Sequence, residues 1–485
     1  MELKKLISKG AIEFKNNNYE KALKIFLESL KKYPNEILPY TYLIPTLINQ
    51  NKLQEALKYA DRVIYLDKNN DIGFTYKGIV FFKKSEFNKA LKYFEEGLKI
   101  NPNNFHNLLN SGIIHHKQKN NVVAIEYLKK SISINDKNFV AYQNLASIYE
   151  DESRFEEAIE YFQKAISLNP KDYDSIHGLS LIQLSKLDFK NGWQNYESRF
   201  RKSNHQIQMK YNSIKRLDTL ENIEGKNVLI WHEQGLGDTI QFSRYVQKLS
   251  CLNVKITFEV QSALSSFLKK QYNFVIKENI KHLNFDYQCP LLSLPNLFID
   301  EKNKVLEISN YFKSDKDKVK KWKNLLKLSN DKINLGIAIS GNPNNLKEQR
   351  RKIGLKELLI INEYCKIYII QKELDKEDGN TLKNNKDLVY LGENDEWINF
   401  DDTSAIVENM DIIISIDTSL IHLAGSMNKK SFLLLSKPAD WRWTEDNNTT
   451  PNWYDNVKIL RQKTAGSWVS VLKEVKEEVK KISGH

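Results

Sequence analysis

The sequence of 485 residues contains little cysteine, proline or glycine, with 3, 10 and 18 residues respectively. Widely spaced cysteines exclude a disulfide miniprotein, and the low glycine and proline content excludes a collagen-like or low-complexity chain. The sequence also lacks an uncharged apolar run near the ~18 residues of a membrane span. Its first segment, MELKKLISKGAIEFKNNN, lacks the apolar core of a secretory signal. We therefore expect a cytoplasmic protein of about two to four domains.

The chain is basic, with 73 Lys and Arg against 61 Asp and Glu and a net charge of +12. Such a balance can accompany nucleic acid, an anionic membrane surface or a phosphate-bearing ligand. The lysines are scattered, without a basic block interleaved with aromatic residues, so composition bias is favoured and no nucleic-acid partner is predicted. Peripheral association with the inner face of a membrane stays open.

The first part of the chain repeats itself every 34 residues. A small residue marks each copy: Ala22, Ala56, Ala90, Ala124 and Ala158. Three copies carry proline where the second helix would end: Pro34, Pro102 and Pro170. This pattern predicts helix–turn–helix units stacked into a superhelix whose concave face binds extended partners. On that face, Asn110 and Asn144 could bond to a peptide backbone or, alternatively, be solvated or bonded within their own helices.

After residue 210, short β-rich runs alternate with helical stretches, which is typical of parallel sheets covered on both faces. The predicted strands are Asn227–Trp231, Val254–Val260, Asn273–Ile276, Ile333–Ile339, Lys366–Ile370, Leu388–Leu391, Asp411–Ile416, Ser431–Leu435 and Val457–Leu460. A helix over Lys316–Leu328 separates two similar halves. Two doubly wound domains would leave a ligand crevice at the carboxyl ends of their strands.

The first loop at such a strand end is WHEQGLGDTIQF, residues 231–242. Gly235 and Gly237 permit a tight turn, but Ile240 replaces the third glycine of a dinucleotide fingerprint. Asp238 stands where a pyrophosphate would lie, which disfavours nicotinamide binding, although Glu259 would suit it. Two interpretations of Asp238 stay open and are compatible: a helix N-cap and a catalytic base.

Two further loops combine anion-binding features. In residues 339–352, Arg350, Arg351 and Lys352 could neutralise a phosphate, or the loop could simply be solvated. In residues 411–425, a buried strand ends at Asp417 and a helix begins, so that free amides and the helix dipole favour an anion. The alternative is that Asp417 caps this helix while His422 packs against a neighbour.

An aromatic segment and several acidic pairs allow structural alternatives. Trp441, Trp443, Trp453 and Tyr454 surround Arg442 and could stack on a base or sugar, or could plug the space between domains. The pairs Asp172/Asp174 and Asp315/Asp317 favour helix capping over metal binding. No metal site is predicted.

Taken together, these features resemble bacterial tetratricopeptide-repeat glycosyltransferases, whose catalytic half is similar to family 9 heptosyltransferases and O-GlcNAc transferases. The motifs that carry the resemblance are GWQNYESRF (192–200), WHEQGLGDTIQFSRYV (231–246), DYQCPLLSLP (286–295), SGNPNNLKEQRRKIGL (340–355), DTSLIHLAG (417–425) and DWRW (440–443). The resemblance implies an α-helical superhelix followed by an α/β GT-B region of two Rossmann-like domains. The implied domains are 1–205 with capping helices, 206–312 for the acceptor and 313–485 for the nucleotide sugar.

The same resemblance implies roles for particular residues. Asp238 matches the general base, and His422 matches the last residue of the donor-binding segment. The implied donor-binding set is Ser340, Gly341, Arg351, Asp417, Thr418, Ser419 and His422. The implied acceptor or loop set is Glu233, Gln234, Gly235, Gly237, Trp441 and Arg442. Two departures from the family pattern, Ser419 for Gly and Arg351 for Lys, leave the donor sugar open.

The implied activity is an inverting, metal-independent transfer of a hexosyl, pentosyl or heptosyl group to an acceptor hydroxyl. A nucleotide-diphosphate sugar would be the substrate, with no cofactor, and the repeats would recruit a protein or glycan-lipid acceptor. The main alternative is a non-catalytic repeat scaffold with a nucleotide-sugar-binding-like α/β domain. A nicotinamide-dependent oxidoreductase is a third, less favoured interpretation.

Overall fold

The computed structural model describes residues 2–203, 209–280, 284–299, 310–341, 348–385, 387–444 and 453–484. It divides into two compact units, Met1–Gly178 and Leu179–His485. The division falls within the helix Tyr173–Ser185 and therefore precedes the domain boundary predicted after residue 205. Among the described residues, no helix is both long and apolar enough to cross a membrane.

The first unit is built from paired helices in the predicted phase. The helices are α1 (Glu2–Lys15), α2 (Tyr19–Lys32), α3 (Leu38–Asn49), α4 (Leu53–Leu66), α5 (Asp71–Lys83), α6 (Phe87–Ile100), α7 (Phe105–Lys117), α8 (Asn121–Ile134), α9 (Phe139–Asp151), α10 (Phe155–Leu168) and the start of α11 (Tyr173–Ser185). The prediction of a helical repeat superhelix is confirmed for this part of the chain.

In the first and third repeats, a glycine of the first helix packs on a phenylalanine of the second helix. A Cβ atom at Gly10 would lie 2.4 Å from the Phe26 ring, and one at Gly78 would lie 2.3 Å from the Phe94 ring. Only a small residue permits such close approach of two helix backbones. The recurring alanines predicted from the sequence are fully buried in the same interfaces.

The first sheet of the second unit has four parallel strands in the order β3-β2-β1-β4. The strands are β1 (Asn227–Trp231), β2 (Lys255–Glu259), β3 (Val275–Lys277) and β4 (Tyr287–Pro290). The helices before and around it are α12 (Phe189–Tyr196), α13 (Leu236–Ser250), α14 (Ser262–Gln271) and α15 (Leu294–Phe298). Strand β4 was not predicted because its residues YQCP include no β-branched side chain.

The second sheet has six parallel strands in the order β10-β9-β8-β5-β6-β7. The strands are β5 (Ile333–Ala338), β6 (Cys365–Ile369), β7 (Leu388–Tyr390), β8 (Ile412–Ile416), β9 (Ser431–Leu435) and β10 (Val457–Arg461). The helices are α16 (Lys316–Leu326), α17 (Glu348–Arg351), α18 (Leu355–Leu358), α19 (Lys376–Lys383), α20 (Phe400–Asn409), α21 (Ser419–Ser426) and α22 (Val469–Ser483). The predicted parallel α/β elements are confirmed, whereas the GT-B assignment stays a prediction.

Helix α12 was predicted to belong to a cap on the repeats, but it packs within the α/β unit. The Trp193 ring meets the rings of Phe242 and Trp441 edge-on, with centroids 5.6 and 5.3 Å apart. Trp193 is 1% exposed and belongs to the same apolar core as the first sheet. Its large indole therefore finds its burial in the α/β core.

Candidate functional site

The strand order places two loops of the second sheet at a topological switch point. From β5 the chain proceeds to β6 and β7 on one side and later continues with β8, β9 and β10 on the other side. Ser340 and Gly341 follow β5, and Asp417 and Thr418 follow β8, its neighbour. In open α/β sheets, ligands bind at this position, outside the carboxyl ends of the strands.

In the first sheet, the loop after β1 leads into helix α13. Gly235 is the N-cap of α13, and its backbone N–H donates to Asp238 Oδ2 at 2.9 Å. This is the reciprocal half of a capping box and satisfies one donor at the helix start. Asp238 is therefore not the N-cap itself, as predicted, but caps the helix start from the third helical position, while its role as a base stays a prediction.

The structure brings the starts of α13 and α21 together. A Cβ atom at Gly237 would lie 2.8 Å from His422 Cδ2 and 3.5 Å from the Cα atom of Ser419. Glycine is required here by this close approach, not by a positive φ angle. Two loops that lie far apart in the sequence thus meet at one place.

Arg442, on the one-turn helix Trp441–Trp443 that follows β9, holds the start of α13. Its guanidinium donates to Asp238 Oδ1, to Gln241 Oε1 at 3.0 Å and to Asp440 Oδ1 at 2.7 Å. Burial acts to lower the pKa of Arg442, but the charges of Asp238 and Asp440 outweigh it and raise that pKa. Arg442 therefore remains a buried cation that holds the Asp238 carboxylate in place.

His422 lies on the first turn of α21 and is 5% exposed. Its Nδ1 lies 2.9 Å from Tyr454 Oη, and its Nε2 lies 3.6 Å from Asp417 Oδ1. The imidazole also stacks on the Trp443 indole, with centroids 5.6 Å apart. The ring is therefore fixed on all sides, and Nε2 is the nitrogen on the side of Asp417.

The loops at the switch point are joined by hydrogen bonds. Arg351 Nη1 donates to the backbone carbonyl of Asp417 at 2.8 Å. Thr418, rather than Asp417, is the N-cap of α21, because its hydroxyl accepts from the backbone N–H of Leu420 at 3.3 Å. Arg351 and the start of α21 consequently lie side by side.

Ser340 is held by Gln371, which was not among the predicted site residues. Gln371 follows β6 and donates through Nε2 to Ser340 Oγ at 3.0 Å, while its Oε1 accepts from the backbone N–H of Ile339 at 2.9 Å. The signal available in the sequence was its position at the end of a predicted strand next to the switch point. Gly341 directly follows Ser340 and is half-buried.

Glu233 and Gln234 are engaged inside the α/β unit. The Glu233 side chain is 0% exposed and forms a two-point ion pair with Arg199, at 2.8 and 2.9 Å. Its Oε1 also accepts from the backbone N–H of Leu292 at 3.0 Å. Gln234 Nε2 donates to Tyr196 Oη at 2.8 Å. Glu233 thus fixes the loop from within, and its partner Arg199 was not among the predicted site residues.

The tryptophans around Arg442 form a hydrophobic plug within the α/β unit. Trp441, Trp443 and Trp453 are 8%, 1% and 1% exposed. The Trp441 ring lies 4.4 Å from the Arg442 guanidinium carbon, and Trp453 Nε1 donates to the Arg442 carbonyl at 2.8 Å. Of the two interpretations of this segment, the structure supports packing rather than an open stacking surface.

The remaining polar candidates have local partners. Asn110 Nδ2 donates to the His106 carbonyl and Asn144 Nδ2 to the Val140 carbonyl, both at 2.8 Å within their own helices. Asp315 caps α16 by accepting two backbone N–H bonds. Throughout the described ranges, no three His, Cys, Asp or Glu side chains gather as a metal site would require.

The fold defines a helical-repeat protein whose chain continues into an α/β unit with two parallel sheets. Residues 72–104 and 139–172 match the family model described as tetratricopeptide repeat. The chain is also 42% identical over 53 residues to a TPR repeat-containing protein of Methanocaldococcus jannaschii. That match covers 11% of this chain and 17% of the relative. The helices within residues 72–104 and 139–172 are thus tetratricopeptide repeats.

Three solved structures match a larger part of the chain, between 33% and 41% of it. The APC/C hetero-tetramer Cut9-Hcn1 has 13% identity and a TM-score of 0.39, covering 41% of this chain and 40% of that one. A TPR protein of Thermus thermophilus has 19% identity and a TM-score of 0.34, covering 38% and 99%. MamA of Desulfovibrio magneticus has 23% identity and a TM-score of 0.30, covering 33% and 89%.

Proposed function

We propose that Leu179–His485 is a glycosyltransferase that moves a sugar from a nucleotide-diphosphate sugar to an acceptor hydroxyl, with inversion and without a metal ion. The observation that supports this most is the meeting of Gly237 with His422. It sets the Asp238 carboxylate near the start of α21, at the carboxyl ends of β1 and β8. A base and an anion-binding helix start would then serve one crevice.

The anionic leaving group would be stabilised by the second sheet. As the bond between the anomeric carbon and the diphosphate breaks, the leaving oxygen takes the electron pair and gains charge. Backbone amides at the start of α21 and its helix dipole favour that charge, and Arg351 lies beside them. Fixed donors of this kind stabilise developing charge without reorganisation during the reaction.

The acceptor would be activated by the first sheet. Asp238 would take the hydroxyl proton as the acceptor oxygen attacks the anomeric carbon, and one displacement of this kind inverts the configuration. The Asp238 oxygens already accept from Gly235 and Arg442, but a carboxylate has about four acceptor positions. These two contacts therefore orient the group and leave room for a substrate hydroxyl.

His422 would donate a single hydrogen bond to the bound nucleoside diphosphate. In this proposal the Tyr454 hydroxyl donates to Nδ1, so that the ring proton lies on Nε2, the nitrogen on the side of Asp417. His422→Gln offers an amide nitrogen near the place of Nε2, whereas His422→Asn offers one near Nδ1. We expect the Asn variant to bind nucleoside diphosphate about tenfold more weakly and the Gln variant to keep most of the affinity. Equal loss in both variants would remove the donor role.

The test is incubation of the full chain with a panel of nucleotide sugars, measuring release of nucleoside diphosphate and thermal stabilisation by each diphosphate. Asp238→Asn should keep donor binding and lower transfer by a factor of roughly 10²–10⁴. Asp395→Asn makes the same chemical change at an exposed position and should leave transfer unaltered. Failure of every donor to bind or react, or undiminished transfer by Asp238→Asn, would contradict the proposal.

The repeats would bring a protein or glycan-lipid acceptor to this unit. A second candidate function is a scaffold without catalysis, which is favoured by the tetratricopeptide match and by the engagement of both Asp238 oxygens. The two candidates differ in one measurement, since a scaffold could bind a nucleoside diphosphate but would not release it from a donor.

A further inference from the structure

We propose that the groove between helices α8 and α10, the second helices of the fourth and fifth repeats, binds an acidic peptide segment of a partner protein. This α8–α10 groove encloses about 600 Å³. Lys129 and Ile132 of α8, Tyr142 of α9, and Tyr161 and Lys164 of α10 line it. It lies entirely within Met1–Gly178, so the proposal does not depend on the function of the α/β unit.

The floor of the α8–α10 groove is aromatic. The rings of Tyr142 and Tyr161 have centroids 6.1 Å apart, and Tyr149 stacks on Tyr161 at 5.4 Å. Ile132 adds a half-buried aliphatic side chain beside them. Rings and an aliphatic side chain of this kind offer a surface on which an apolar side chain of a peptide can be buried.

The rim of the groove is cationic. Lys129 and Lys164 are both exposed, and the Lys164 ammonium lies 6.0 Å from the centre of the Tyr142 ring. Within the described part of the chain, no carboxylate forms an ion pair with either ammonium, although Glu160 also lines the groove. Two lysines against one glutamate give the residues that line the groove a net positive charge, although the charge of Lys129 also acts on the nearby Glu157 carboxylate.

The equivalent groove between α4 and α6 shows that this charge is particular to its position. Counting back by two repeats, Asp61 replaces Lys129 and Glu96 replaces Lys164, while Tyr93 matches Tyr161. In that groove, Asp61 is paired with Lys77 at 2.7 Å, and the Lys77 ammonium lies 4.4 Å from the Tyr93 ring centre. Asp61 and Glu96 are thus paired within the chain, whereas Lys129 and Lys164 form no ion pair among the described residues.

A peptide matches both features of the groove better than a small anion does. A glutamate or aspartate side chain can form charge-assisted hydrogen bonds with the two lysines. An apolar side chain on the same segment would cover the tyrosines, which a free phosphate cannot do. The expected ligand therefore has one or two carboxylates next to an aromatic or aliphatic residue.

The experiment selects from a phage-displayed library of random peptides on the immobilised full chain, in parallel on wild type and on the variant Lys129→Glu/Lys164→Glu. Wild type should enrich peptides with Asp or Glu beside an apolar residue. A synthetic peptide of that consensus should bind the variant about a hundredfold more weakly, at roughly tenfold per lost contact. The same peptide with Lys in place of its acidic residues should prefer the variant.

Lys92→Glu, which makes the same charge change at an exposed lysine of α6, is the matched control and should leave affinity within about twofold. Circular dichroism would reveal whether the charge reversal disturbs folding. If it does, the milder variant Lys129→Gln/Lys164→Gln replaces it and should also weaken binding. Enrichment without acidic residues, or equal affinity for wild type and both groove variants, would overturn the proposal. So would full competition by millimolar inorganic phosphate together with no loss on changing the apolar residue to alanine.

Discussion

The ion pair between Arg442 and Asp238 allows a quantitative test of how the α/β unit is held together. Their side chains are 9% and 17% exposed, and Arg442 also bonds to Asp440. Removing one member of a buried pair leaves its partner uncompensated, which typically costs about 3–5 kcal/mol. Arg442→Met leaves both carboxylates without their cation. We therefore expect the free energy of unfolding to fall by about 3 kcal/mol, which is the lower end of that range because Asp238 is partly exposed.

Asp238→Asn is expected to cost less, about 1–2 kcal/mol. The amide oxygen can still cap Gly235, and Arg442 keeps Asp440 as its partner. In the double variant Arg442→Met/Asp238→Asn, the loss of stability should be smaller than the sum of the two single losses. The coupling energy between Arg442 and Asp238, measured by this double-mutant cycle, should be about 1.5 kcal/mol or more, as for other close charge pairs.

The distribution of tryptophan makes this measurement selective. All 8 tryptophans lie beyond residue 192, and none lies in the repeats. Urea unfolding followed by tryptophan fluorescence therefore reports on the α/β unit alone, while circular dichroism reports on both units. A loss below about 1 kcal/mol for Arg442→Met, or a coupling energy near zero, would refute the reasoning.

Three further predictions use the same assays. Gly237→Ala should destabilise the α/β unit by about 1–3 kcal/mol, because its Cβ would collide with the His422 ring. Gly235→Ala should be nearly neutral, since the nearest neighbour of its Cβ would be Asp238 Oδ2 at 3.3 Å. Gly78→Ala should lower the melting temperature of the helical circular dichroism signal, because its Cβ would collide with Phe94, and should leave the tryptophan transition unchanged. A shift of the tryptophan transition instead would contradict this prediction. Burial, followed by the charge of Lys210, lowers the pKa of His232 to about 4, so the unfolded chain binds more protons between that pH and about 6.5. Stability should then fall as pH drops through this window, less steeply in His232→Gln; equal slopes would exclude His232 as a cause.

Features set by local sequence were predictable, because a few neighbouring residues determine them. The 34-residue phase places each small residue against its partner one helix away, and β1 and β9 have the bounds that their β-rich runs predict. Strand β4 lacks such a run. Its extended form is supported instead by pairing with β1, in which Tyr287 stands opposite Val228.

The contacts that shape the candidate site were not predictable, because they join residues distant in sequence. Arg442 and Asp238 are 204 positions apart, and Arg199 reaches Glu233 across 34 positions. Without those partners, Glu233 resembled a loop residue open to a ligand, although its side chain is fully buried. The same reasoning applies to the tryptophans near Arg442, whose burial depends on α12 and α13.

The capping and catalytic interpretations of Asp238 can be separated because they use different properties of one side chain. Capping requires an oxygen that accepts from Gly235, and asparagine supplies one. Proton transfer requires the negative charge, which asparagine lacks. If Asp238→Asn binds a donor, stays folded and fails to transfer, the charge itself is responsible. If it merely unfolds more easily and transfers at the wild-type rate, Asp238 serves the helix alone, and the chemistry assigned to this crevice would need another base.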